Sequence, residues 1–358
     1  MFDPEIEFHR FFNSGELTEK ERQRHPGKLD LEKIDPNLAR HLTTIKALIN
    51  DMLTRNSPTI QTRFGPANLH LDYIDKPQPP LIRFPNAVSF RYSGFDFIGL
   101  TYDLVELMNL ICGSLARHSA TASLLGIKAD SPDQRDNLLS VLFLIQIQFA
   151  VDHELGHHFH GHTAGNSETE FFSEYLCSDS SDDGEHLEDQ AREVEADGYA
   201  VHMMAKNLFA NGGNEFFRIL GFTTLSSDEF LVRLLLLCIT SYFALRPQRP
   251  FNADNVRNPR HPFGTMRLHV VMTDFQGWAS EFKPEISRYI TQQTLDEISL
   301  AISAVTESER QLVGNLELEA AFVRTDQGLK YRDDLYQTRE GVRDQMKSRA
   351  WKLLPDTP

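Results

Sequence analysis

The stretch SPDQRDNLLSVLFLIQIQFAVDHELGHHF, residues 131–159, decides how the rest of the chain is read. Ser131-Pro132-Asp133-Gln134 is a helix start. Ser supplies a cap oxygen, Pro has its φ already set for the first helical position, and Gln three residues on can bond back to the cap. No Gly or Pro follows until Gly156, so a long, mostly buried helix is expected from Pro132 to about Phe159. Its apolar part, Leu138–Val151, is broken by Ser140, Gln146 and Gln148 and falls short of the ~18–20 apolar residues a membrane span needs. Leu234–Leu245, flanked by Arg233 and Arg246, falls short in the same way. Both read as core helices of a chain with no membrane span.

The end of the first helix carries His153-Glu154-Leu155-Gly156-His157, an HExxH pattern. Two His four residues apart share one helix face, so both imidazoles can reach one zinc ion, with the Glu beside them as general base. A catalytic zinc takes three protein ligands and keeps an open position. The third is sought in Arg192-Glu193-Val194-Glu195-Ala196-Asp197-Gly198, on a helix expected from about Glu188 to Phe209. Glu193 and Asp197 project together: Glu193 is the expected third ligand, and Asp197 is expected to accept the free ring N–H of a ligating His. Glu195 points away and is the weaker candidate. The bland alternative is a solvated acidic helix start favoured by the macrodipole. His158, His160 and His162 read as polar residues at a fraying helix end. HExxHxxGxxH is excluded, because positions 160 and 163 hold His and Thr.

Outward from these helices, residues 1–58 read as helical, with Leu38, Leu42, Ile45, Leu48, Ile49 and Met52 at three- and four-residue steps. Residues 59–101 are the sheet region. Asn68–Ile74 alternates apolar and polar, Leu81–Phe84 and Ala87–Tyr92 are short β-rich runs, and Pro77, Pro79, Pro80, Pro85 and Gly94 punctuate them. Tyr102–Arg117 is helical. A third core helix starts at Ser226, with Glu229 completing a capping box, and ends before Pro247. Residues 276–358 read as helical, Thr294–Val305 most clearly. The fold class expected is α+β and mostly helical, with a small mixed sheet and helical N- and C-terminal parts.

The chain has 358 residues, 41% hydrophobic and 24% charged, the balance of an ordinary globular protein rather than a disordered one. Its net charge of −15, with no Lys/Arg-rich run, argues against a nucleic-acid partner. Twelve acidic residues fall within 166–197 against one basic residue, Arg192, so most of the acidity is local. Within that stretch, 168–189 reads as a solvated loop or a flap that steers basic peptides. Three scattered cysteines, Cys112, Cys177 and Cys238, fit a reducing compartment. Cys177 reads as a plain thiol rather than a cap on zinc. With no signal peptide visible, the expected location is cytoplasmic.

HExxH followed by Glu193-x-x-Ala196-Asp197 resembles the gluzincin zinc metallopeptidases, and within them the HtpX and CAAX prenyl protease group. His261-Pro262-Phe263-Gly264-Thr265-Met266-Arg267-Leu268 is similar to that group's downstream His-Pro-x4-Arg segment. The resemblance covers about residues 131–275 and lacks the group's membrane helices. It implies a zincin-like catalytic domain over 59–275, with active-site helices in 131–210 and 226–245. It also implies one Zn2+ ion held by His153, His157 and Glu193, with Glu154 and His261 catalytic and His261 stabilising the oxyanion. Arg267 is expected in a structural ion pair. Read as HExxHxxxGH, residues 153–162 are also similar to the Lit-type phage-exclusion peptidases. The activity implied is hydrolysis of an intracellular protein or peptide. The alternatives are a peptidase effector governed by an activating or inhibitory protein partner, and a non-catalytic interaction protein with a structural metal site.

Overall fold

The computed structural model describes residues 3–77, 85–128, 131–163, 171–173, 186–209, 216, 219–221, 223–244, 251–259, 261–306 and 316–353. Helices predominate and the strands form two small sheets, the α+β class expected. The chain divides into two compact units: Met1–Leu107 with His153–Asp179 and Arg339–Pro358, and Met108–Asp152 with Ser180–Thr338. Each unit gathers segments distant in sequence.

In the first unit, helix α1 (Pro4–Asn13) starts on an Asp3 cap with Pro4 in its first turn. A short α2 (Glu19–Arg24) follows, and then α3 (Pro36–Asn56), capped by Asp35. The stripe on α3 buries Leu38, Leu42, Ile45, Ile49 and Leu53, while Leu48, expected in it, is 57% exposed. Strands β1 (Ile60–Thr62) and β2 (Gly65–Pro66) form a small sheet that the C-terminal strand β7 (Lys352–Leu353) completes. That strand corrects the purely helical reading of the C-terminal part; two residues carry no periodicity to read.

The larger sheet contains β3 (Leu69–Ile74), β4 (Ala87–Tyr92), β5 (Phe95–Thr101) and β6 (Phe171–Ser173) in the order β3-β5-β4-β6. It is mixed: β3 and β5 are parallel, and the other pairs are antiparallel. Ser93 and Gly94, both at positive φ, make the two-residue turn that joins β4 to β5. Phe8, Phe11 and Phe12 of α1 pack on Phe90 and Phe97, with Phe11 stacked on Phe90 at a centroid distance of 4.1 Å. The alternation read in Asn68–Ile74 does not separate a wet face from a dry one. Asp72 is 2% exposed and ion-paired with Lys46 at 2.8 Å, and all of β5 is buried. The outer edge of β3 is closed by Asn50, whose side-chain amide exchanges two hydrogen bonds with the Leu71 backbone, and by Leu29 N–H donating to Tyr73 O. The run Leu81–Phe84 lies outside the described residues.

In the second unit the core is helical. It draws on α4 (Tyr102–Arg117), α5 (Ser119–Leu124), α6 (Pro132–Phe159), α7 (Leu187–Asn207), α8 (Ser227–Ala244), α9 (Gly264–Phe282), α10 (Gln292–Thr306), α11 (Leu316–Val323) and α12 (Asp326–Met346). The capping box of α6 forms as expected: Gln134 N–H donates to Ser131 Oγ and Ser131 N–H to Gln134 Oε1. Every α8 residue from Phe230 to Ala244 except Arg233 is buried, which makes α8 a central helix. Gln146, a break in the apolar run of α6, is satisfied inside: it accepts from the Cys112 thiol and donates to Ser241 Oγ at 2.7 Å. Helix α6 is, contrary to the reading of its apolar run as too short, long and apolar enough to cross a membrane. Within the protein, 78% of its most apolar window is buried.

The end of α6, in the first unit, is clamped rather than frayed. His162 N–H donates to His157 O and Gly161 N–H to His158 O, the paired bonds of a Schellman motif with Gly161 in the left-handed position. Trp351 N–H donates to Phe159 O, and the Trp351 ring stacks on His158. A Cβ at Gly161 would meet Arg349 Cβ at 2.7 Å and its backbone carbon at 2.8 Å. Gly161→Ala is therefore expected to lower stability by about 2–4 kcal/mol, through overpacking and a left-handed alanine, in urea denaturation.

His25 is buried between Glu21 O at its Nδ1 (3.1 Å) and the Asn86 side-chain amide nitrogen at its Nε2 (3.2 Å). Only the neutral ring, with its proton on Nδ1, satisfies both. Burial pushes its pKa down to about 4. Between that value and the ordinary ~6.5 the unfolded chain binds the extra proton, so stability falls as pH drops through this window. His25→Gln is expected to flatten the pH dependence of urea stability between about pH 6.5 and 4.

Candidate metal centre

His153 and His157 lie one turn apart on α6, both fully buried, with their Nε2 atoms 3.0 Å apart. Glu193 on α7 is also fully buried, and one ligand atom from each of the three lies within 4.8 Å of the others. A tetrahedral ion with bonds of about 2.0–2.2 Å sets its donor atoms roughly 3.3–3.6 Å apart. The imidazole pair is close to that spacing and the carboxylate is within reach of it. His153, His157 and Glu193 thus form a buried group able to hold a metal ion. Glu154, next to His153, is fully buried as well.

The second unit explains how Glu193 is placed. Arg267 of α9, itself fully buried, donates from Nε and Nη2 to the two oxygens of Asp197, each at 2.6 Å. Its Nη1 lies 3.6 Å from Glu193 Oε2, and its guanidinium sits over the Phe243 ring at 5.0 Å. Burial works against this charge, but Asp197 and then Glu193 outweigh it and raise the arginine's pKa above its ordinary range. His261 Nδ1 lies 3.1 Å from the same Glu193 oxygen, and the His261 side chain is 19% exposed.

The charges suit a divalent cation. Arg267 neutralises Asp197, and Glu193 and Glu154 add two further buried carboxyl groups. A buried carboxyl group needs hydrogen bonds or a compensating charge, which a bound metal ion can supply.

The arrangement differs from the sequence reading in two respects. The solvated acidic helix start does not apply, since Glu193, Glu195 and Asp197 are all fully buried. Both Asp197 oxygens are engaged by Arg267, which links Asp197 through that guanidinium to Glu193. The structural ion pair expected of Arg267 is this one.

The second difference is His162, 7% exposed, whose Nδ1 lies 2.9 Å from His157 Nδ1. Were His157 to bind a metal through Nε2, its Nδ1 would be free to carry a proton and donate it to His162. The sequence held a signal for this. Glycine just after a helix sets up the Schellman motif, which returns the second residue past the cap to the last turn. His158, by contrast, is structural. Its Nε2 bonds Phe97 O, its Nδ1 bonds the Thr163 hydroxyl, and burial lowers its pKa. Asp152, beside His153, accepts from Gln148 at 2.9 Å, and burial pushes its pKa up to about 8. Cys177 and nearly all of 168–185 lie outside the described residues.

No protein-family model, curated protein or solved structure matches the chain.

His162→Ala is expected to weaken the binding of a metal ion at this group, with zinc as the probe, about 10- to 100-fold, as loss of a ligand's hydrogen-bond partner does. Competition with a chromogenic chelator reads the change.

Proposed function

We propose that this protein is a zinc-dependent metallopeptidase of gluzincin type, hydrolysing peptide bonds of an intracellular protein or peptide. The observation that carries the reading is the buried His153, His157 and Glu193 group with Glu154 beside it on the same helix. A purely structural metal site has no use for a carboxylate next to two ligating imidazoles. The motif order, HExxH, then Glu193-x-x-Ala196-Asp197, then His261-Pro262-x4-Arg267, supports the same class.

His153 and His157 through Nε2 and Glu193 through a carboxylate oxygen would hold the ion. When bound, zinc supplies Lewis acidity towards a carbonyl and brings the pKa of water towards neutrality. Glu154 takes a proton on a carboxylate oxygen from the attacking water and returns it to the leaving amine. His261 donates from an imidazole N–H to the carbonyl oxygen as charge builds there. Arg267 and Asp197 fix Glu193, and His162 fixes the ring plane and tautomer of His157.

A second reading, in which a protein partner switches the peptidase on, is favoured by one feature. His153, Glu154, His157 and Glu193 are each fully buried, and of the residues assigned here to metal binding or catalysis, His261 alone has an exposed part. On that reading the purified protein carries zinc and is inert until the partner is added.

Glu154→Gln is expected to leave zinc content unchanged and to lower hydrolysis by at least about 10²-fold. Elemental analysis measures the first, and proteomic comparison of cells expressing wild type and variant measures the second. Identical proteomes, with and without candidate partners, would remove the peptidase assignment.

A further inference from the structure

The first unit holds a cavity of about 620 Å³ that shares no residue with the metal centre. Its wall carries an alternating square of charges. Lys46 Nζ lies 2.8 Å from Asp72 Oδ1 and 3.0 Å from Glu5 Oε1, while Lys28 Nζ lies 3.4 Å from Asp72 Oδ2 and 2.6 Å from Glu5 Oε2.

The two carboxylates are not equivalent. The Asp72 side chain is 2% exposed and sits on β3, so it stays; that of Glu5 is 51% exposed on the first turn of α1 and can swing into water. The third carboxylate on this wall, Asp30, pairs with Lys33 at 2.9 Å. Two ammonium groups facing one fixed carboxylate leave a surplus of one positive charge. Glu5 meets that surplus with one oxygen on each lysine, which is how a free carboxylate or phosphate would be gripped. Asp72 Oδ2 also faces His70 Nε2 at 3.9 Å, which holds this carboxylate further in place.

We propose that this cavity binds a small oxyanion, a carboxylate or phosphate group, which displaces Glu5 from Lys28 and Lys46. Glu5 is then a built-in competitor. While its carboxylate occupies the site, apparent affinity is reduced by the fraction of time the site is open. Removing that charge must tighten binding, whereas a merely structural tie between α1 and α3 would give no such gain.

The test is calorimetric titration of the full chain with inorganic phosphate and, separately, acetate, at constant ionic strength. Wild type, Glu5→Gln and Lys46→Gln are compared. The expected result is saturable binding to Glu5→Gln about tenfold or more tighter than to wild type, and no binding to Lys46→Gln. Saturation by one probe alone identifies the group as phosphate or carboxylate. Absence of saturable binding to Glu5→Gln, equal affinity in Glu5→Gln and wild type, or binding that survives Lys46→Gln would each overturn the proposal. Lys46→Gln strips a partner from buried Asp72 and can fail to fold. Glu5→Gln, at an exposed position, decides the matter alone, with a phosphate-dependent rise in its thermal midpoint as the second measurement.

Discussion

The site depends on one buried ion pair, the two-pronged contact between Arg267 and Asp197. A fully buried guanidinium is stable only when its charge is met with good geometry, and Asp197 meets it at both oxygens. That pairing leaves Nη1 to face Glu193, so the carboxylate offered to a metal is held in place by a charge that is itself satisfied. Removing either partner would leave an uncompensated ion in the core, a loss of about 3–5 kcal/mol, and would also release Glu193. Stability and site geometry are therefore carried by the same contact.

Much of this was legible in the sequence because it depends on short-range rules. Ser131-Pro132-Asp133-Gln134 fixed the start of α6, and the spacing of His153, His157, Glu193 and Asp197 placed them in pairs on helix faces. The class, helical with a small mixed sheet, followed from runs and punctuation. What escaped depends on long-range burial. Asp72 looked like the polar beat of an amphipathic strand, but Lys46 and Lys28 neutralise it, and the strand is covered on both sides. Strand β7 is two residues long and exists only because β1 lies beside it.

The histidine run at the end of α6 shows how far composition falls short of geometry. His157, His158 and His162 are near neighbours in sequence and all buried, yet their environments differ. His157 turns Nε2 towards His153, His158 ties the helix to Phe97 and Trp351, and His162 backs His157. The difference is set by helix phase and by the left-handed turn at Gly161, not by residue type.

That turn also ties together two stretches of chain far apart in sequence. The residues that brace it, Arg349 to Trp351, are translated long after the helix they hold. On the nascent chain the last turn of α6 has no Trp351 ring to lie against, and β1 has β2 but not yet β7 beside it. Bracing of the helix end that carries His153 and His157 thus waits for residues 349–351, and a fragment lacking them would present these imidazoles on an unbraced helix end. The turn at Gly161 is locked only by chain made about 190 residues later.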